Sequence, residues 1–105
     1  MVKKETMGDS LFLRYFGRNP TNKVLDFLVV HNIFDYSIKS ISEHARVNYV
    51  TLKNLVKEME SKKMIILTRK NGTCKMYKIN ENNPIMNKFK DFYCDIVSKE
   101  GKKEY

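Results

Sequence analysis

The dipeptide Asn71-Gly72 separates two runs rich in Ile, Leu, Met, Tyr and Thr, Met64–Lys70 and Thr73–Ile79. Asparagine and glycine tolerate the two positive-φ positions of a type I′ turn, so the segment reads as a β-hairpin. A two-residue loop fixes the register, opposing Arg69 to Cys74, Leu67 to Met76, Ile66 to Tyr77 and Met64 to Ile79. One face then carries Met64, Ile66, Tyr77 and Ile79, and the other Ile65, Leu67, Cys74 and Met76. Both are apolar near the base, whereas the tip carries Arg69, Lys70 and Lys75, so the base is expected to be buried and the tip solvated.

Upstream of the hairpin the apolar spacing changes to that of helices. Asn19-Pro20 places a capping side chain before a proline at the first helical position, and Val24, Leu25, Leu28 and Val29 fall on one face of a helix ending near His31. Phe34-Asp35-Tyr36 reads as a brief extended link. Either Ser37, or Ser40 with Glu43 three residues on, can cap the next helix, which carries Ile38, Ile41 and Ala45. Arg46-Val47 forms a tight turn, and Asn48 caps a helix over 48–61 whose inward residues are Leu52, Leu55, Val56 and Met59. Its outward residues are Tyr49, Val50, Thr51, Lys53, Asn54 and Lys57.

At the two ends, residues 1–18 divide into a polar tail and an apolar segment, Leu11 to Phe16, whose periodicity fits strand or helix equally. After Asn83-Pro84 a last helix within 81–105 carries Ile85, Phe89, Phe92 and Ile96 at intervals of four, three and four, widened by Met86, Tyr93 and Val97. So broad an apolar stripe must be covered, either by the chain's own core or by a second copy across a two-fold axis.

A chain of 105 residues with 42% hydrophobic content suits one domain with a single core. Its formal charge of +8 points to a polyanionic partner, nucleic acid or an anionic membrane surface. Distribution favours nucleic acid: from Arg46 to Lys78 nine basic residues face two acids, Glu58 and Glu60. Met1-Val2-Lys3-Lys4 leads into Glu5-Thr6-Met7-Gly8-Asp9 instead of the apolar core of a signal sequence, so a cytoplasmic location is expected. Cys74 and Cys94 stand twenty apart without metal-ligand spacing and read as small apolar residues. His31 and His44 read as a helix-end and a solvated residue. Asp26, Asp35, Asp91 and Asp95 read as solvent-facing, and no catalytic pairing, metal or cofactor is expected.

The run Ser37-Ile38-Lys39-Ser40-Ile41-Ser42-Glu43-His44-Ala45-Arg46-Val47-Asn48-Tyr49-Val50-Thr51-Leu52, the hairpin, and Asn80-Glu81-Asn82-Asn83-Pro84-Ile85 after it resemble winged helix-turn-helix transcriptional regulators. The likeness is nearest to small archaeal-type regulators related to the ArsR and MarR groups and covers about residues 19–98. It implies a mainly α fold with a small β-hairpin: a three-helix core, a two-stranded wing and a C-terminal helix that dimerises. It also implies a dimeric, sequence-selective DNA-binding regulator. Two features depart from the pattern. Arg46 and Lys63 stand where those families carry glycine, which requires a different turn geometry or tertiary contacts that hold a non-glycine residue at positive φ. Paired cysteines near the 48–61 helix are absent, so metal sensing is not carried over.

On this reading residues 19–80 form the DNA-binding unit, with the 48–61 helix in the major groove of double-stranded DNA. Asn54 suits an adenine edge, Lys53 a guanine, and Val50 or Thr51 a thymine methyl. Asn48, Tyr49 and Lys57 suit phosphates, as do Arg69, Lys70, Asn71 and Lys75 on the wing. Ile85, Phe89, Phe92, Tyr93 and Ile96, with the N-terminal apolar segment, are the expected homodimer contacts. The alternative is a winged helix that docks onto protein within a larger assembly and does not meet DNA. A small nuclease is disfavoured by the lack of clustered acids for Mg²⁺.

Overall fold

The computed structural model describes residues 10–102, with side chains to Ser98. The polar tail expected before Ser10 therefore lies outside the described residues. Leu11 to Phe16 resolves to a short helix, α1 (Leu11–Phe16), because the Ser10 hydroxyl caps the Leu13 amide at 3.2 Å. Gly17 ends it at φ +100°, where a side chain would be strained. Helix α2 (Pro20–Val30) starts as the sequence indicates: Asn19 accepts from the Asn22 amide at 2.8 Å, Pro20 occupies the first turn, and Val24, Leu25, Leu28 and Val29 are buried.

The expected link before the next helix is a short strand, β1 (Tyr36–Ser37). Ser37 also caps α3 (Ile38–Ala45), accepting from the Ser40 amide at 3.1 Å, which decides between the two serines. Asn48 caps α4 (Tyr49–Ser61), its side-chain oxygen accepting from the amides of Val50 and Thr51. The chain continues through β2 (Ile65–Asn71) and β3 (Cys74–Ile79) into α5 (Pro84–Lys102), where Asn83 accepts from the Ile85 amide at 2.9 Å. The fold is thus mainly helical with a small antiparallel sheet. The sheet has three strands in the order β1-β3-β2 and not the expected two, because β1 pairs with the free edge of β3.

The observed register departs from the expected one by two positions at the tip and by one from Leu67 to the base. Asn71 pairs with Cys74, leaving Gly72 and Thr73 in the turn, and only Gly72 takes a positive φ, as in a type II′ turn. Pairing continues as Lys70 with Lys75 and Arg69 with Met76; Thr68 then bulges out, and Leu67 pairs with Tyr77 and Ile65 with Ile79. Ile65, Leu67, Tyr77 and Ile79 therefore share a face, and Ile66 looks outward opposite Lys78. Burial accounts for the choice, since Ile65, Tyr77 and Ile79 are all at most 3% exposed and complete the core built by Val24, Leu28, Ile41, Leu52, Val56 and Met59.

Arg46 and Lys63 hold the conformation for which glycine is favoured, at φ +59° and +62°. Local hydrogen bonds secure both. After Arg46, the Val47 amide returns to the Ser42 carbonyl at 3.1 Å, the Ser42 hydroxyl donates to the Val47 carbonyl at 2.6 Å, and the Lys23 ammonium reaches the Arg46 carbonyl. At Lys63 the amides of Lys63 and Met64 return to Glu60 and Met59, a Schellman closure of α4. The side-chain amides of Asn80 and Asn83 both donate to the Lys63 carbonyl, at 3.0 and 2.9 Å. The Asn-x-x-Asn spacing thus ties the exit of β3 and the start of α5 to the end of α4.

Because a left-handed non-glycine residue costs about 1–2 kcal/mol and glycine returns part of that as chain entropy, Lys63→Gly should stabilise the fold by about 1 kcal/mol. Thermal melting should rise by about 4–8 °C, and Lys63→Ala should give no such gain.

Candidate nucleic-acid interface

Helix α4 divides cleanly. Leu52, Val56 and Met59 point inward and are at most 1% exposed, while Tyr49, Val50, Thr51, Lys53, Asn54 and Lys57 are all exposed. The division follows from helical spacing, since the inward residues recur every three or four positions, with Leu55 half-buried beside them and Glu58, Glu60 and Ser61 exposed toward the helix end. Val50 is 66% exposed, which no packing requirement of the protomer explains. The Lys53 ammonium lies 5.8 Å from the centre of the Tyr49 ring, so these two residues stand together on the outer face. Asn48 also stays exposed, but its oxygen is committed to the helix N-terminus, leaving it a capping role first.

Helix α4 packs against β2, and the connection through Lys63 fixes where the hairpin projects. At the hairpin's end Arg69, Lys70, Asn71 and Lys75 are exposed, with Lys70 directly opposite Lys75. Among the described residues no carboxylate pairs with Lys53, Lys57, Lys70 or Lys75. Arg69 differs. Its Nε and Nη2 donate to the two oxygens of Asp35 at 3.1 and 3.3 Å, and the bulged Thr68 hydroxyl donates to the same carboxylate. Asp35 is therefore not the solvent-facing acid that the sequence suggests: its side chain is 17% exposed, and Thr68 and then Arg69 hold its carboxyl below the usual carboxylate range. Only a bulge brings these groups together, and strand alternation carries no sign of one.

The expected dimer contacts separate. Tyr93 is 4% exposed, packs on Phe12 and donates its hydroxyl to Asp26, so it belongs to the protomer's own core. Asp26, which also accepts from Ser10 at 2.6 Å, is likewise no surface acid. Phe89 and Ile96 are half-buried, with Phe89 edge-on to Phe12. Ile85, Phe92 and Val97 remain outside at 75%, 43% and 46%, and Phe92 meets the exposed Phe16 edge-on across α1 and α5. The own-core reading thus holds for Tyr93 and, in part, for Phe89 and Ile96, while Ile85, Phe92 and Val97 stay exposed in the protomer.

Cys74 and Cys94 are both exposed, contrary to their reading as small apolar residues. His31 closes α2 and His44 is exposed, but both rings lie against Phe27, His44 stacked at 5.4 Å. Burial, reinforced by Glu60, pushes the Tyr77 phenol above its ordinary range. No helix of the described residues is long and apolar enough to cross a membrane. Comparison with protein-family models, curated proteins and solved structures gave no match.

Proposed function

We propose that the chain is a winged helix-turn-helix regulator of transcription that acts in the cytoplasm on double-stranded DNA. Helix α4 enters the major groove and the β2–β3 wing lies along the backbone. The observation that carries this reading is the outer face of α4, where apolar, amide and cationic groups all stand in solvent beside a hairpin whose tip is cationic. That mixture matches a groove floor of thymine methyls and base edges bounded by phosphates. The order helix, short strand, helix, helix, two strands supports it further, as does the three-stranded sheet in which β1 flanks β3. Two copies join through Ile85, Phe92 and Val97 of α5, with Phe16 of α1 edge-on to Phe92; all four are exposed in the protomer.

Titration of a labelled mixed-sequence duplex tests the proposal. The unmodified protein should bind with a dissociation constant of roughly 1–100 µM near physiological salt, the range of non-specific binders. Lys53→Glu with Lys57→Glu should abolish binding while leaving the circular dichroism spectrum unchanged, because both side chains are exposed. Failure of the unmodified protein to bind at low salt would transfer the same outer face to a protein partner.

A further inference from the structure

We propose that Asp35 limits the wing's attraction for phosphate by occupying the guanidinium of Arg69. The inference rests on the DNA-binding reading above and concerns a residue outside the helix and hairpin that make the contact. Asp35 and Arg69 are 34 positions apart, so tertiary structure alone brings them together. Their pairing is two-pronged, Nε to one carboxylate oxygen and Nη2 to the other, at 3.1 and 3.3 Å. This is also the geometry in which a guanidinium takes a phosphate, so a DNA backbone would compete for the same fork of donors.

Several features favour the carboxylate in that competition. The bulge leaves Thr68 without a strand partner, and its hydroxyl gives Asp35 a third donor. The acid is sheltered while the arginine is open, with 17% of one side chain exposed against 62% of the other. With its carboxyl held below the ordinary range, Asp35 stays ionised throughout neutral pH. Lys70 and Lys75, one rung nearer the tip, have no such partner among the described residues. The wing thus carries three cations and presents the net charge of two.

Asp35→Asn removes the competitor and leaves Arg69 in place. In anisotropy titrations of a mixed-sequence duplex at about 100 mM salt, it should bind about fivefold to tenfold more tightly for each protomer engaged, the effect of one further phosphate neutralised per Arg69, and so about 25-fold to 100-fold more tightly as a dimer. The slope of log K against log salt should steepen by about 0.9 per protomer. Asp35→Asn with Arg69→Gln should return to within about twofold of the unmodified protein, because the pair it deletes is neutral.

An Asp35→Asn variant that binds no more tightly overturns the proposal. So does a double variant that loses as much affinity as Lys70→Gln, since Arg69 would then be holding phosphate despite Asp35. The Arg69 Nε–H resonance of the unmodified protein gives a measurement that needs no variant to fold. It should keep its position when duplex is added, and movement on binding contradicts the proposal. Absence of duplex binding by the unmodified protein overturns the DNA reading itself, which separates the two failures.

Discussion

Raising sodium chloride from about 50 to about 200 mM should weaken duplex binding by about four orders of magnitude if a dimer engages about eight phosphates. The count takes one neutralised phosphate charge for each of Lys53, Lys57, Lys70 and Lys75, the four side chains of the candidate face that no carboxylate among the described residues neutralises, Lys53 entering through its charge in the groove even where its ammonium meets a guanine. Each phosphate neutralised releases condensed counterion, giving a slope near −0.9 per contact, so eight contacts give about −7. A fourfold change in salt multiplies that slope by about 0.6 decades. A protomer acting alone would engage about four phosphates and lose only about two orders of magnitude over the same range. One titration series therefore reads two things: whether the cationic face meets the backbone, and whether α5 brings two such faces to one duplex. A flat response would remove the electrostatic basis of the proposal.

Most of the fold could be read from residue chemistry, because the signals are local. Asn19-Pro20, Ser37, Asn48 and Asn83 each cap a helix through a side-chain oxygen within three residues of its target amide. The inward face of α4 follows from spacing alone. Arg46 and Lys63 stood out as non-glycine residues at glycine positions, and both do adopt positive φ. What was not legible depends on contacts between distant segments. Strand β1 is two residues long and exists only because β3 offers it an edge. The Thr68 bulge shifts the register of the hairpin, and it is set by burial of Ile65 and Tyr77 and by the hold of Asp35, neither of which the turn sequence encodes. The candidate site divides along the same line. Its α4 half was visible as a helix face, whereas the neutralised state of Arg69 required Asp35, 34 positions away. The C-terminal stripe looked uniform by spacing, yet α1 folds back over part of it and takes Tyr93 into the core.

Leu52→Ala should cost about 2–5 kcal/mol, a large part of the roughly 5–15 kcal/mol available to a domain of this size. Leu52 is fully buried on α4, in the same core cluster as Ile41 and Val56, and truncation there leaves a cavity that surrounding backbone cannot easily fill. Urea unfolding followed by circular dichroism should show the midpoint fall at unchanged slope. Duplex binding should fall with it only through loss of folded protein, and an excluded osmolyte such as trimethylamine oxide should restore both together. Val50→Ala, two positions earlier on the same helix, provides the contrast. Its side chain is 66% exposed, so stability should change by no more than about 0.5 kcal/mol, and any loss of duplex binding should resist the osmolyte. If instead Val50→Ala destabilised the fold and Leu52→Ala left it intact, the helix would be turned the other way, and the groups assigned to the groove would be facing the core.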